Sequence, residues 1–188
     1  MNIIERIKGI LLKPQEEWQT IAGETTPIAD LYKNYIIILA AIGPVASFIG
    51  LSLVGVSLPM VGAYRVPIAT GILHAVVQYV LTLGGVYVLA LIIDALAPTF
   101  SGEKNIDQAF KLATYSYTPG WLVGIFALIP ALGILAILGL YGLYLLYLGL
   151  PVLMKSPKEK SIGYTVAVIV AAIIIFVVIS AISRVFIS

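Results

Sequence analysis

Charge in this chain is confined almost entirely to the connections between long apolar runs, a pattern that no water-dissolved fold accommodates. Residues 35–58, 66–93, 112–154 and 161–183 contain no Asp, Glu, Lys or Arg. A helix needs about 20 apolar residues to cross the hydrocarbon layer. Charged residues are 11% of the 188, against roughly 25% in a soluble domain. The expected fold is therefore all-α: a polytopic membrane helix bundle, in which packing between helices replaces a water-driven core. There is no cysteine, which excludes disulfides and thiolate metal sites.

The spacing predicts five spans. The first runs from about Tyr35 to Leu58, kinked at Gly43-Pro44 and stopped by Pro59. The second runs from about Pro67 to Leu96 and is long enough to tilt. The third starts at about Ile106 and reaches Ile129, although Lys111, Ser116, Thr118 and Pro119 make its first half polar. Starting it at Trp121 instead would leave a run too short to cross. Pro130-Ala131-Leu132-Gly133 is expected as a tight turn, Leu132–Met154 as the fourth span and Gly163–Ile182 as the fifth.

The basic residues test this count. With five spans, Arg6, Lys8, Lys13, Lys33, Lys104, Lys111, Lys155, Lys158 and Lys160 fall on one side, and Arg65 and Arg184 on the other. Short basic connections prefer the cytoplasm. That predicts a cytoplasmic N-terminus and an outside C-terminus in a cell membrane. One long helix across 119–154 would give four spans and place the Lys155–Lys160 loop outside, against the charge rule.

Residues 1–34 divide from the 35–188 membrane region. They lack an unbroken apolar stretch for a cleavable signal, and neither a Met-Gly start nor a terminal Cys suggests a lipid anchor. Ile3, Ile4, Ile7, Ile10 and Leu11 repeat at helical spacing, with Glu5, Arg6 and Lys8 expected to face away. Such a helix can lie in the interface plane. Pro14 reads as the first residue of a second short helix, with Glu16 and Glu17 in its first turn, Trp18 at the interfacial belt and Gly23 as its stop. Thr26-Pro27 would start the helix feeding the first span.

Several stretches occur together: residues 7–18 (IKGILLKPQEEW), the Ala40-Ala41-Ile42-Gly43-Pro44 kink, residues 113–119 (ATYSYTP) and the Tyr- and Leu-rich 143–151. In this order and spacing the chain resembles the Yip family of membrane proteins, its prokaryotic branch above all. The family is named for interaction with Ypt/Rab GTPases. The resemblance implies five helices with the orientation already read from the charges. Eukaryotic members carry Asp-Leu-Tyr-Gly-Pro before the first span. Here Asp30-Leu31-Tyr32 is followed by Lys33-Asn34, so half of that motif is present.

Ionisable and polar groups inside apolar runs are functional candidates by default. His74 and Gln78 share a face of the second helix, read as an interhelical hydrogen-bonding pair rather than a metal site. Asp94 falls on nearly the opposite face. Lys111 either pairs with Asp94 across helices or, as preferred, snorkels and pairs with Asp107. Tyr79, Tyr87, Tyr115, Tyr117, Tyr141, Tyr144 and Tyr147 either satisfy one another and backbone freed at Pro119 and Pro44, or line a ligand cavity. Gly120 and Gly124 allow close helix approach, within the chain or in a homo-oligomer.

No phosphate-binding glycine loop, zinc-protease, nucleophile-elbow or nucleic-acid pattern occurs. No cofactor is expected. The leading expectation is a non-enzymatic scaffold or membrane-organising protein that meets lipid and other membrane proteins. A small transporter or channel using His74, Gln78 and Asp94 is the alternative, and a membrane enzyme ranks third.

Overall fold

The structure is a computed structural model that describes residues 2–58 and 62–187; side chains at 56–58, 62–63 and 175–187 are outside that description. Two short helices open the chain, α1 (Ile3–Leu12) and α2 (Pro14–Gly23). Longer helical segments follow: α3 (Ile28–Val54), α4 (Ile68–Leu96), α5 (Ile106–Val123), α6 (Pro130–Leu153) and α7 (Ser161–Ile187). Judged on the described residues, α3, α6, and α4 with its extension to Phe100 are long and apolar enough to cross a membrane.

Local chemistry sets many of the boundaries. Asn2 Oδ1 accepts from the Ile4 N–H at 3.0 Å, and Asn105 Oδ1 from the Gln108 N–H at 3.1 Å, capping α1 and α5. Pro14 opens α2 with Glu16 and Glu17 in its first turn, and α2 ends at Gly23 as read from the sequence.

The first span differs from its expected bounds. It begins at Ile28 and ends at Val54, because Gly55 adopts a φ of 86°, which L side chains avoid. Val56–Leu58 then form a strand, β1, paired antiparallel with β2 (Gly62–Tyr64), so Val56 faces Tyr64. The expected stop at Pro59 lies outside the described residues. Tyr32–Ile36 and Ile49–Val54 wind as wider π turns; regular helix runs over Ile37–Ala40, is interrupted at Ala41 and resumes at Ile42, just before Gly43-Pro44.

The expected helix over 106–129 is α-helical only to Val123, and Gly124–Leu128 tightens to 3₁₀. The four-residue turn expected at 130–133 is instead a break at Ile129, the one extended residue there. Pro130 already starts α6, whose first turn tolerates a missing N–H. This segment is 3₁₀ through Leu140 and α-helical from Tyr141.

Helix α5 is the centre of the molecule. It packs against α3, α4 and α6, and every residue from Ala109 to Ser116 is buried. Its polar composition follows from that position, since its side chains meet protein rather than lipid. Helix α7 packs against α4 and α6.

The α4–α5 and α6–α7 connections are tied together at one end of the bundle. The Glu103 N–H donates to the Met154 carbonyl at 2.8 Å, Lys155 pairs with Glu103 at 2.7 Å, and Lys160 Nζ donates to Ser101 Oγ at 2.7 Å. Lys104, Lys155, Lys158 and Lys160 therefore share that end. Arg65 precedes α4, a helix of about 43 Å at 1.5 Å per residue, which places it at the other end. The Arg184 side chain lies outside the described residues.

Glycines allow close crossings. A Cβ on Gly124 would lie 2.8 Å from the Gly43 Cα, backbone against backbone, whereas one on Gly120 would meet nothing within 4 Å. Gly124→Val should cost about 1–3 kcal/mol by overpacking, read as a lower unfolding midpoint in denaturing detergent. Gly120→Ala should leave that midpoint nearly unchanged.

Candidate functional site

The polar groups converge where the α1–α2 helical hairpin meets α5. Helix α2 lies along α6, and its Trp18 is fully buried. The indole packs edge-on to Tyr115, ring centroids 6.3 Å apart. It also fits against Gly149, where an added Cβ would come within 2.9 Å of the ring. The interfacial-belt position expected for Trp18 is therefore corrected: the indole is core, because Gly149 leaves a slot for it.

Arg6 is corrected likewise. It does not face away from α1's apolar side but is only 6% exposed. Its Nη1 donates to Glu17 and its Nη2 to Glu24, while the guanidinium carbon stands 5.4 Å from the Tyr115 ring centroid. Burial alone would lower the Arg6 pKa; Tyr115 and the two carboxylates outweigh it and hold the group above its ordinary value. Gly9 makes room for this cluster, since a Cβ there would fall 2.1 Å from Glu17 Oε2.

Lys111, 2% exposed, pairs with neither Asp94 nor Asp107. Its Nζ donates to the Ile21 carbonyl at 3.0 Å and the Glu24 carbonyl at 2.5 Å. Both earlier readings of Lys111 are overturned: the ammonium caps the C-terminal end of α2, where free carbonyls attract a cation. A polar cavity of about 630 Å³ opens beside the cluster, lined in part by Arg6, Glu17, Glu24, Thr25 and Thr26.

An aromatic wall continues inward. Tyr35 is fully buried, shares a 2.9 Å hydrogen bond with Thr118, and packs edge-on to Tyr115 at 5.1 Å. Tyr117 stacks on Trp121 at 5.8 Å, and Pro119 is buried. Other tyrosines reach backbone: Tyr32 to Leu83, Tyr79 to Ile37, Tyr141 to Leu11 and Tyr164 to Ile93. Tyr144 tilts against Tyr141 and is 45% exposed. Leu31 is buried, Asp30 is exposed, and Pro44 is buried beside the Gly43–Gly124 crossing.

The structure does not bring His74, Gln78 and Asp94 together. His74 and Gln78 are exposed on α4 and bond to no described side chain. Asp94 is half-buried near the other end, its Oδ1 buried without a hydrogen-bond partner. Among the described residues, no group of three His, Asp or Glu could hold a metal ion. A second, apolar cavity of about 490 Å³ lies between α5, α6 and α7, with Ser116 and Tyr117 among its lining.

Sequence reasoning missed Arg6, Glu17, Glu24, Tyr35, Thr118 and Trp121. A signal existed for Arg6: it sits three residues after Ile3 and four before Ile10, inside the apolar stripe.

The chain is similar to the inner membrane protein YohC of Escherichia coli strain K12, 27% identical over 184 residues, covering 96% of this chain and 94% of that protein. The O6:H1 strain's YohC matches equally. No solved structure matches. A family model, the Yip1 domain, matches residues 8–179. A match over that much of an apolar helical chain makes this a membrane protein of the Yip1-domain family.

Proposed function

We propose that the protein is a non-enzymatic membrane scaffold that crosses the bilayer five times, with the α1–α2 hairpin on the cytoplasmic side as its contact surface and the C-terminus outside. One observation carries the reading: Lys111 of α5 latches the hairpin to the bundle through the Ile21 and Glu24 carbonyls, while Arg6 ties α1 to Glu17 and Glu24 of the hairpin and stands over the Tyr115 ring of α5. The clustering of Lys104, Lys155, Lys158 and Lys160 at one end supports the orientation. With Ile10, Trp18 and Ile21 buried, the outward hairpin face includes Ile4, Glu5, Lys8, Leu12, Lys13 and Glu16. It offers two large apolar side chains, 60% and 78% exposed, among balanced charges, with Lys13 paired to Glu16 at 3.5 Å. An apolar patch on a partner membrane protein complements it.

The transporter reading draws no support from the placement of His74 and Gln78 on one exposed face of α4 and of Asp94 on nearly the opposite face toward the helix's other end. Two measurements test the proposal. Proteoliposomes of the full chain should pass protons and alkali cations no faster than protein-free vesicles. Photo-cross-linking from position 12 in native membranes should capture a discrete membrane protein, lost on Ile4→Glu. Flux that Asp94→Asn abolishes, or no capture from position 12, would overturn it.

A further inference from the structure

The first half of α4 stands almost clear of the rest of the molecule. Gly71, Ala75 and Tyr79 alone turn inward from 68–81; Gly71 abuts Ser52 and Phe48, and Tyr79 bonds to the Ile37 carbonyl at 3.0 Å. Ile72, Leu73, Val76, Val77, Val80 and Leu81 are exposed, which lipid tolerates. A second line of residues is not suited to lipid. Thr70, His74, Gln78 and Thr82 recur every four residues and form one ridge along the helix. Thr82 Oγ1 donates to the Gln78 carbonyl at 2.8 Å, but the Thr70, His74 and Gln78 side chains bond to no described residue.

Depth makes this expensive. Helix α4 and its extension form a run of 33 residues. That is about 50 Å of helix against a hydrocarbon layer of about 30 Å. Centred, it projects about 10 Å at each end. His74 then stands at the hydrocarbon boundary, and Gln78 lies about 6 Å further in. An amide in hydrocarbon with no hydrogen bond carries a large penalty.

We propose that this ridge is a homodimer interface, in which the Thr70–His74–Gln78 face of one chain meets the same face of a second copy. The ridge is self-complementary: the Gln amide carries donors and acceptors, and neutral imidazole carries one of each. A two-fold axis beside Gln78 lets each copy satisfy the other, as an isologous contact requires. No Asp, Glu, Lys or Arg occurs from Val66 to Ile93, so nothing on this face calls for a partner of opposite charge. Val77 and Leu81 run along the outer side of the ridge and would pack against the second copy. This surface is separate from the α1–α2 contact face.

The chain has no cysteine, so single-cysteine variants report cleanly. Leu81→Cys lies beside the ridge and Val76→Cys on the opposite, equally exposed side of α4. In the full chain, reconstituted at low protein-to-lipid ratio and oxidised, Leu81→Cys should give a disulfide-linked dimer and Val76→Cys should not. Adding Gln78→Leu should lower the Leu81→Cys dimer yield about fivefold, the effect of losing one membrane hydrogen bond of ordinary strength. Circular dichroism and the unfolding midpoint should stay unchanged, since the Gln78 side chain is exposed and hydrogen-bonds to no described residue of its own chain. Equal cross-linking at both positions, no dimer from Leu81→Cys, or a yield indifferent to Gln78→Leu would overturn the proposal. So would native-membrane cross-linking from Leu81→Cys to a different protein.

Discussion

Trp18→Ala should lower stability by about 3–5 kcal/mol, the range for truncating a fully buried large aromatic side chain. The indole is enclosed by Gly149, Leu112 and Tyr115, so its removal leaves a cavity at the seam between α2, α5 and α6. The unfolding midpoint in denaturing detergent reads the total. Hydrogen exchange reads the location: amides of α1 and α2 should exchange faster while those of α4 do not. Gly149→Val approaches the same contact from the other side. Its Cβ would fall 2.4 Å from Leu112 Cδ1 and 2.9 Å from the indole, forcing Trp18 outward. Both substitutions should loosen the same segment. If neither changes exchange there, the indole does not hold the hairpin.

Arg6→Leu should be the second large effect. Removing one partner of a buried ionic cluster strands the others without countercharge, a loss of several kcal/mol when all are buried. Glu17 and Glu24 are 20% and 31% exposed, so water meets part of that demand. A loss of about 2–3 kcal/mol is expected on that basis. Adding Glu17→Gln and Glu24→Gln should return much of it, because the uncompensated charges go with them. Arg6→Lys should restore less than its charge suggests, since one ammonium cannot offer the separate Nη1 and Nη2 donors the two carboxylates use. Limited proteolysis of 1–27 is the readout. An N-terminal segment as resistant in Arg6→Leu as in the parent chain would show that the cluster is not a latch.

The elements were legible where local rules decide them. Pro14 and Gly23 bound α2, Ile106 starts α5 behind Asn105, and the runs of α4 and α6 are apolar enough to be found by length. The candidate site was mostly illegible. Lys111 meets carbonyls 87 and 90 residues away in sequence, and Tyr35 meets Thr118 across 83. Periodicity assigns a residue to a face of its own helix and says nothing about what that face meets. Helical spacing points Lys111 to Asp94 or Asp107, carboxylates on α4 and α5. The actual partners are carbonyls at the end of α2, a kind of acceptor that no residue type announces.

By itself the sequence determined the solvent and the segments. Uncharged runs of span length need lipid, and Pro, Gly and Asn at their ends limit where helices start and stop, because these effects act within a few residues. Only the tertiary structure decided which side of each helix is inside. It turned Arg6 and Trp18 from an assumed membrane surface into the core, and it left His74 and Gln78 facing outward. The reason is physical: in a bundle bathed in lipid, an apolar face packs equally well on tails or on protein. Which of the two it meets is settled by close fits such as Trp18 on Gly149 and Gly124 on Gly43, and those exist only once the helices are assembled.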